Sequence, residues 1–440
     1  MTAALKQEMS SAETTLPHQV DETEHASIVR ELFATRARSL ELAAPLSSED
    51  QTVQAMDDAS PTKWHLAHTT WFFETFVLTR FADGYALFDE DFHYCFNSYY
   101  EAEGPRHPRP RRGLLTRPTL AQVLAYREHV DAALEKLIDR GAMNQDAVAR
   151  LVELGVHHEQ QHQELLLTDI LALFAANPLR PAYSTVQDIR SGNEKPSAQW
   201  SACDGGIVQA GAAGETFCFD NETPRHEVLL RPYRLANRLV TNREWQEFMA
   251  DGGYTEAGLW LSDGWSLVQA EGWCAPLYYE QKDGRWLQMS LHGLVEPDPE
   301  APVCHVSYYE ADAFARWAGK RLPTEFEWEH LAASSSRSGA NTLATGAMRP
   351  LAADPAGGPG PQQLHGDVWE WTASAYVPYP GFRAAPGAVG EYNGKFMINQ
   401  HVLRGASCVT VDGHSRTSYR NFFYPHQRWQ FMGLRLADDS

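Results

Sequence analysis

No two cysteines in this 440-residue chain stand in a C-x-x-C pair. The six present, Cys95, Cys203, Cys218, Cys274, Cys304 and Cys408, are scattered. That pattern argues against zinc-ribbon chemistry and fits a reducing cytoplasm better than a disulfide framework. Long apolar runs are missing too, so no membrane-spanning segment is expected. The first two dozen residues are polar and lack a continuous apolar stretch, so neither a signal peptide nor a mitochondrial presequence is expected. Positive charge is scarce. A formal net charge of −20 and a pI near 5.3 argue against a general affinity for nucleic acid or anionic membranes, both of which require basic patches. The run Pro105-Arg106-His107-Pro108-Arg109-Pro110-Arg111-Arg112 is a local exception whose ordinary reading is a solvated loop. No internal repeat of fixed period is found.

What is present divides into two textures. An apolar content of 43% over 440 residues supports a sizeable core and about two domains. After a polar tail over 1–23, residues 24–176 read as helices, with apolar positions recurring every three or four residues. The long stretches are Ala26 to Ala43, Pro61 to Arg80, Thr119 to Asp139 and Asn144 to Phe174, and an antiparallel four-helix bundle is their economical packing. Residues 177–198, with Pro178, Pro181, Gly192 and Pro196, read as a linker. Over 199–440 Gly, Trp, Tyr and short alternating segments prevail, as in Glu227 to Arg231 and Val402 to Gly405. Two helices are predicted there, Thr241 to Asp251 and Tyr308 to Ala318, in an irregular, loop-rich α+β domain.

Chemistry concentrates in the last helix of the bundle, at His157-His158-Glu159-Gln160-Gln161-His162-Gln163-Glu164. His158 and His162 lie four residues apart, about 40° past one full turn, so their rings leave one face at neighbouring heights, as a shared metal ion requires. A third ligand can come from His65 or His68 on the second predicted helix, of which His68 lies beside the apolar Leu66 and Ala67. Taken alone, a histidine pair at this spacing is better explained by a solvated face or a hydrogen-bonded core, and a second histidine-bearing helix strengthens the metal reading. Three neutral imidazoles without a carboxylate would leave a dication its full charge and open positions, which invites an anionic co-ligand such as a thiolate. Iron(II) so loaded can activate dioxygen, whereas zinc cannot do redox chemistry. The residues themselves do not separate iron from zinc or nickel.

The run His158 to Glu164, with Trp64-His65-Leu66-Ala67-His68 upstream, resembles the DinB-like N-terminal bundle of the ergothioneine sulfoxide synthases. The second half resembles the formylglycine-generating-enzyme (sulfatase-modifying-factor) domain, a relative of the C-type lectin fold. It does so through Phe219 to His226, Val240 to Trp245, Gly319 to Glu329, Gly366 to Thr372, Leu403 to Ser407 and Gly433 to Leu436. The implied fold is multidomain, a DinB-like four-helix bundle followed by a formylglycine-generating-enzyme-like α+β domain. Enzymes that make formylglycine use a cysteine pair. Here Cys408 is the last cysteine and Thr410 to Tyr419 contains none, so Cys408 is expected to be a packed thiol.

The resemblance implies that His68, His158 and His162 hold Fe(II), with dioxygen as cosubstrate and the organic substrates where the domains meet. By the same resemblance Gln161 hydrogen-bonds the histidine-derived substrate hercynine (Nα-trimethylhistidine), Asn421 grips its carboxylate, and Phe422 borders its trimethylammonium group. Arg109 and Arg112 fall where family arginines bind the carboxylate of the thiol substrate. Asn97-Ser98-Tyr99-Tyr100 resembles the segment whose phenol serves as proton or hydrogen-atom donor, a role left between Tyr99 and Tyr100. In the γ-glutamylcysteine-using branch an acidic residue stands two positions after the asparagine; here Phe423 does, so L-cysteine is the expected sulfur donor. The expected product is a hercynylcysteine sulfoxide, made by a cytoplasmic enzyme for which a homo-oligomer remains open. The alternatives are γ-glutamylcysteine as donor, an ovothiol-type histidine–cysteine synthase, a simple thiol dioxygenase, and a non-catalytic metal-containing lectin-like binding protein.

Overall fold

The computed structural model describes residues 22–185, 199–356, 360–384 and 390–439. Most of the expected tail, residues 1–21, and the 186–198 part of the expected linker lie outside the described residues.

Four long helices build the first half: α1 (Glu22–Ala43), α2 (Thr62–Phe73), α3 (Leu120–Asp139) and α4 (Asp146–Ala176). Side-chain capping marks the start of one of them. Thr119 accepts from the Gln122 amide while the Gln122 side chain reaches back, a capping box that begins α3. On α3 the buried Val123, Tyr126, Val130, Leu134 and Leu137 recur at three- and four-residue steps, the stripe expected of a helix with one wet face. Helix α2 has no wet face; all twelve of its residues are buried. It packs against α3 and α4, while α1 packs along α4. A π-helical turn, Glu74–Leu78, continues α2. There the buried Glu74 carboxylate accepts from the hydroxyls of Tyr85 and Tyr126, both at 2.6 Å.

The second half is built on a four-stranded sheet ordered β3–β2–β1–β4, from β1 (Trp369–Ala375), β2 (His401–Gly405), β3 (Asn421–Phe423) and β4 (Met432–Gly433). Its core holds Trp245, Phe248, Phe314, Trp371 and Leu403. Both expected helices form, at Asn242–Ala250 and Tyr308–Trp317. Two more were not expected, Ser262–Glu271 and Glu325–Ala332. The first carries Gly264 in its first turn, which weakens any propensity reading; the glycine is there because a Cβ would come within 2.8 Å of the Tyr309 side chain. The second has its sequence signal in plain view, a capping box between Thr324 and Glu327. Buried arginines staple the loops: Arg404 and Arg420 share Glu325, and Arg435 pairs with Glu370.

The halves share a continuous apolar core. Leu166, Leu167, Ile170, Leu171 and Phe174 of α4 pack with Leu239, Met289, Leu291, Val368, Val409 and Phe431 of the second half. At about 1.5–3 kcal/mol for each fully buried side chain, this contact is worth far more than a loose hinge. Cys408 is fully buried in the same cluster, as expected of a packed thiol. Among the described residues no helix is long and apolar enough to cross a membrane.

Candidate metal centre and substrate cleft

His68 on α2 and His158 and His162 on α4 converge, with one ligand nitrogen of each lying within 4.8 Å of the others. Their rings stand 4.6–4.9 Å apart, centre to centre. The Nδ1–H of His68 donates to the Phe96 carbonyl at 2.6 Å, which leaves Nε2 as a lone-pair donor. His158 Nδ1 is buried and has no hydrogen-bond partner among the described residues. Burial holds all three rings neutral. It lowers the His158 pKa to about 4 and those of His68 and His162 well below the ordinary value, with the neighbouring imidazoles adding to the effect at the latter two. Three convergent neutral imidazoles, one of which also carries an unpartnered buried nitrogen, fit a divalent transition metal. His65 is not in this trio. It stands behind it, its Nδ1 2.8 Å from His162 Nδ1 and its Nε2 3.0 Å from Asp169 Oδ2.

Each remaining residue of the α4 run has its own partner. Glu159 pairs with Arg36 and Arg127 inside the bundle. Gln163 donates to the Thr35 carbonyl at 2.8 Å. His157 stacks on Phe217 at 3.9 Å, which brings α4 against the second half. The Glu164 carboxylate crosses fully, accepting from Trp369 Nε1 at 2.8 Å, Ser407 Oγ at 2.6 Å and Thr410 Oγ1 at 2.7 Å. Burial raises the Glu164 pKa and these three bonds oppose the rise.

The trio faces a cavity of about 210 Å³ where the halves meet, and the sequence-predicted residues Tyr99, Tyr100, Arg109, Arg112, Gln161, Asn421, Phe422 and Phe423 all line it. Arg112 is buried, donates to Ser60 Oγ at 2.9 Å and Ser98 Oγ at 3.1 Å, and has no carboxylate within ion-pair distance among the described residues. Its guanidinium lies 3.4 Å over the Trp64 ring, on which His68 is stacked at 4.6 Å. A cation, an indole and one imidazole of the trio thus form one column. The basic loop, read by default as solvated, therefore turns Arg112 inward, while Arg109 donates to the Tyr99 hydroxyl at 2.5 Å. Tyr100 is set deeper, against Trp71 and Phe76.

On the opposite wall the Gln161 amide donates to the Tyr419 hydroxyl at 2.7 Å. Asn421 opens β3, where its Oδ1 accepts from the Phe422 N–H at 2.9 Å. Phe422 stacks on Tyr376 at 4.1 Å, and Phe423 meets Trp429 edge-on at 5.8 Å.

Comparison with known sequences agrees with this two-part architecture. The DinB superfamily profile matches residues 31–166, and that of the sulfatase-modifying factor enzyme 1-like domain matches residues 186–440. Hercynine oxygenase of Mycolicibacterium thermoresistibile is 32% identical, over 94% of this chain and 95% of its own length. The chain belongs to the hercynine oxygenase family. The hercynine oxygenase of Mycobacterium tuberculosis is 35% identical over 76% of this chain and 81% of that protein. The formylglycine-generating enzyme of Streptomyces coelicolor is 29% identical, but over only 54% of this chain. Membership of the hercynine oxygenase family makes the chain an oxidoreductase.

Several cleft residues of this hercynine oxygenase family member went unread in the sequence. Tyr419 orients Gln161 and is itself 3.3 Å from His414 Nε2, whose Nδ1 lies 3.0 Å from Gln160 Oε1. Phe396 bridges Tyr99 and Phe422 as the aromatic rim of the cavity. None of these sits in a periodic pattern or beside the histidine run, so only the tertiary structure brings them in.

Proposed function

We propose that the protein is an iron(II)- and dioxygen-dependent sulfoxide synthase that joins the sulfur of L-cysteine to the imidazole of hercynine. The observation that carries this reading is a cavity in which a three-histidine centre, a buried arginine with no carboxylate partner among the described residues, and an amide-and-aromatic wall face one another. The overall reaction balances without an external reductant. One imidazole C–H, one thiol S–H and one dioxygen become a C–S bond, a sulfoxide oxygen and one water.

Iron held by His68, His158 and His162 would supply dioxygen activation and a site for the thiolate. The chain's own residues do the rest. Arg112, with Arg109 beside it, binds the cysteine carboxylate by charge-assisted hydrogen bonds. Gln161, oriented by Tyr419, and Asn421 hold hercynine by its polar groups, while Phe422 presents an aromatic face to the trimethylammonium cation. Tyr99 or Tyr100 supplies the phenol that passes a proton at the reacting end. Closure by both domains excludes water and keeps the two substrates in register. At Phe423 the wall offers no carboxylate for the amino group of a γ-glutamyl extension, which favours free cysteine. Six unpaired thiols suit a cytoplasmic enzyme.

The test is anaerobic reconstitution with iron(II), then air with hercynine and either cysteine or γ-glutamylcysteine, read by mass spectrometry and oxygen uptake. A sulfoxide adduct with cysteine supports the full reading. An adduct chiefly with γ-glutamylcysteine overturns the donor assignment alone. No adduct and no oxygen uptake from iron-loaded protein overturns the reaction.

A further inference from the structure

One buried polar chain beside the metal-facing imidazoles has no part in the mechanism above. It runs from Asp169 through His65 to His162, and all three groups are close-packed between α2 and α4. We propose that His65, backed by Asp169, is a positioning residue that fixes His162 in the tautomer presenting Nε2 to the metal. The inference rests on the reading of His68, His158 and His162 as ligands.

Proton counting carries the argument. His65 Nδ1 and His162 Nδ1 are 2.8 Å apart, so they share one proton. At the other end of His65, Nε2 is 3.0 Å from Asp169 Oδ2, an oxygen that also accepts the Ser60 backbone N–H at 2.8 Å. A carboxylate oxygen accepts, so His65 Nε2 carries a hydrogen. A neutral imidazole protonated there has its lone pair on Nδ1, and the shared proton therefore belongs to His162. His162 is left with its lone pair on Nε2. The reverse arrangement would set a His65 lone pair against the carboxylate. An imidazolium at position 65 would donate to His162 and leave a hydrogen on its Nε2, among the other two ligand rings, where no metal could be bound.

The geometry has a counterpart at His68, where the Phe96 carbonyl performs the same duty directly. His65 and His68 lie three residues apart on α2, and His162 and Asp169 seven apart on α4, so each pair occupies one helix face. The chain therefore sets the distance between the two helices as well as the tautomer. Such outer partners typically change metal affinity ten- to a hundred-fold when removed.

The probe is cobalt(II), added to the full-length metal-free protein. Its affinity is read by competition with a chelator, and its ligand field by visible absorption. Gln at position 65 can donate one amide hydrogen to Asp169 and accept from His162, so His65→Gln is expected to bind within about three-fold of the parent. His65→Leu and Asp169→Ala are expected to bind at least about ten-fold more weakly, with an altered absorption band. A folded His65→Leu protein with the parent's affinity and spectrum overturns the proposal. Should that variant fail to fold, Asp169→Ala decides in the same way, with His65→Gln as the rescue. A parent protein that binds no cobalt overturns the ligand reading itself, and the proposal with it.

Discussion

Replacing Arg112 by methionine separates binding from stability more sharply than any other substitution in the cleft. Arg112 is 3% exposed and has no carboxylate within ion-pair distance among the described residues, so no salt bridge offsets its desolvation cost in the folded chain. That cost is several kcal/mol for a buried ion. Against it stand two hydrogen bonds to Ser60 and Ser98, about 1 kcal/mol each, and the stack on Trp64, about 1–2 kcal/mol. The sums nearly cancel, and the expected change in unfolding free energy is within about 2 kcal/mol of zero. The cysteine carboxylate, by contrast, would lose charge-assisted hydrogen bonds worth about 1.5–3 kcal/mol. At 1.4 kcal/mol per factor of ten, KM for cysteine should rise about 10- to 100-fold. KM for hercynine should stay within about three-fold. Urea denaturation and initial-rate kinetics on the iron-loaded protein measure both. A loss of stability above about 4 kcal/mol with cysteine KM unchanged would refute the reasoning, because Arg112 would then be a structural strut.

Phe423→Asp should shift preference toward γ-glutamylcysteine by about ten-fold in kcat/KM, as expected for one partly exposed charge-assisted contact; an unchanged ratio removes Phe423 from donor selection. Glu164→Leu strands an indole N–H and two hydroxyls at about 1–3 kcal/mol each, less the gain from a buried leucine, so a net loss of about 3 kcal/mol is expected from urea titration. The buried His414 has its pKa pulled down to about 3 by burial and by Arg416. Its folded value lies below its unfolded one, so the stability it contributes is complete above pH about 6.5 and is lost as pH falls toward 3. Between pH 6.5 and pH 5 the loss is about 2 kcal/mol, which His414→Gln should abolish in metal-free protein.

Much of this structure could be read in the sequence wherever local order governs. The four long helices of the bundle follow mainly from apolar periodicity, with a cap at Thr119, and α2 is legible although it has no polar face, because its length and its Ser60-Pro61 start remain. The helix Ser262–Glu271 was hidden by Gly264, a residue chosen for contact with Tyr309 rather than for helix formation. At the site, spacing alone placed His158 and His162 on one face, but the choice of His68 over His65 drew partly on resemblance. Periodicity cannot tell a ligand from the residue behind it, since both point the same way on α2. Tyr419 and His414 lie more than 250 positions from the glutamines they contact, and no local rule reaches across that gap.

The bond from Glu164 to Trp369, Ser407 and Thr410 bears on how such a cleft can be altered by recombination. The three convergent imidazoles, Arg112 and Gln161 belong to one half and the strand Asn421–Phe423 to the other, so exchanging the second half would rebuild one wall of the cleft and leave the histidine trio in place. A graft is admissible only if it supplies an indole N–H and two hydroxyls to the carboxylate two residues beyond His162. Modularity here has a password, written in three side chains, and a domain lacking it would meet the bundle with an unsolvated acid at its centre.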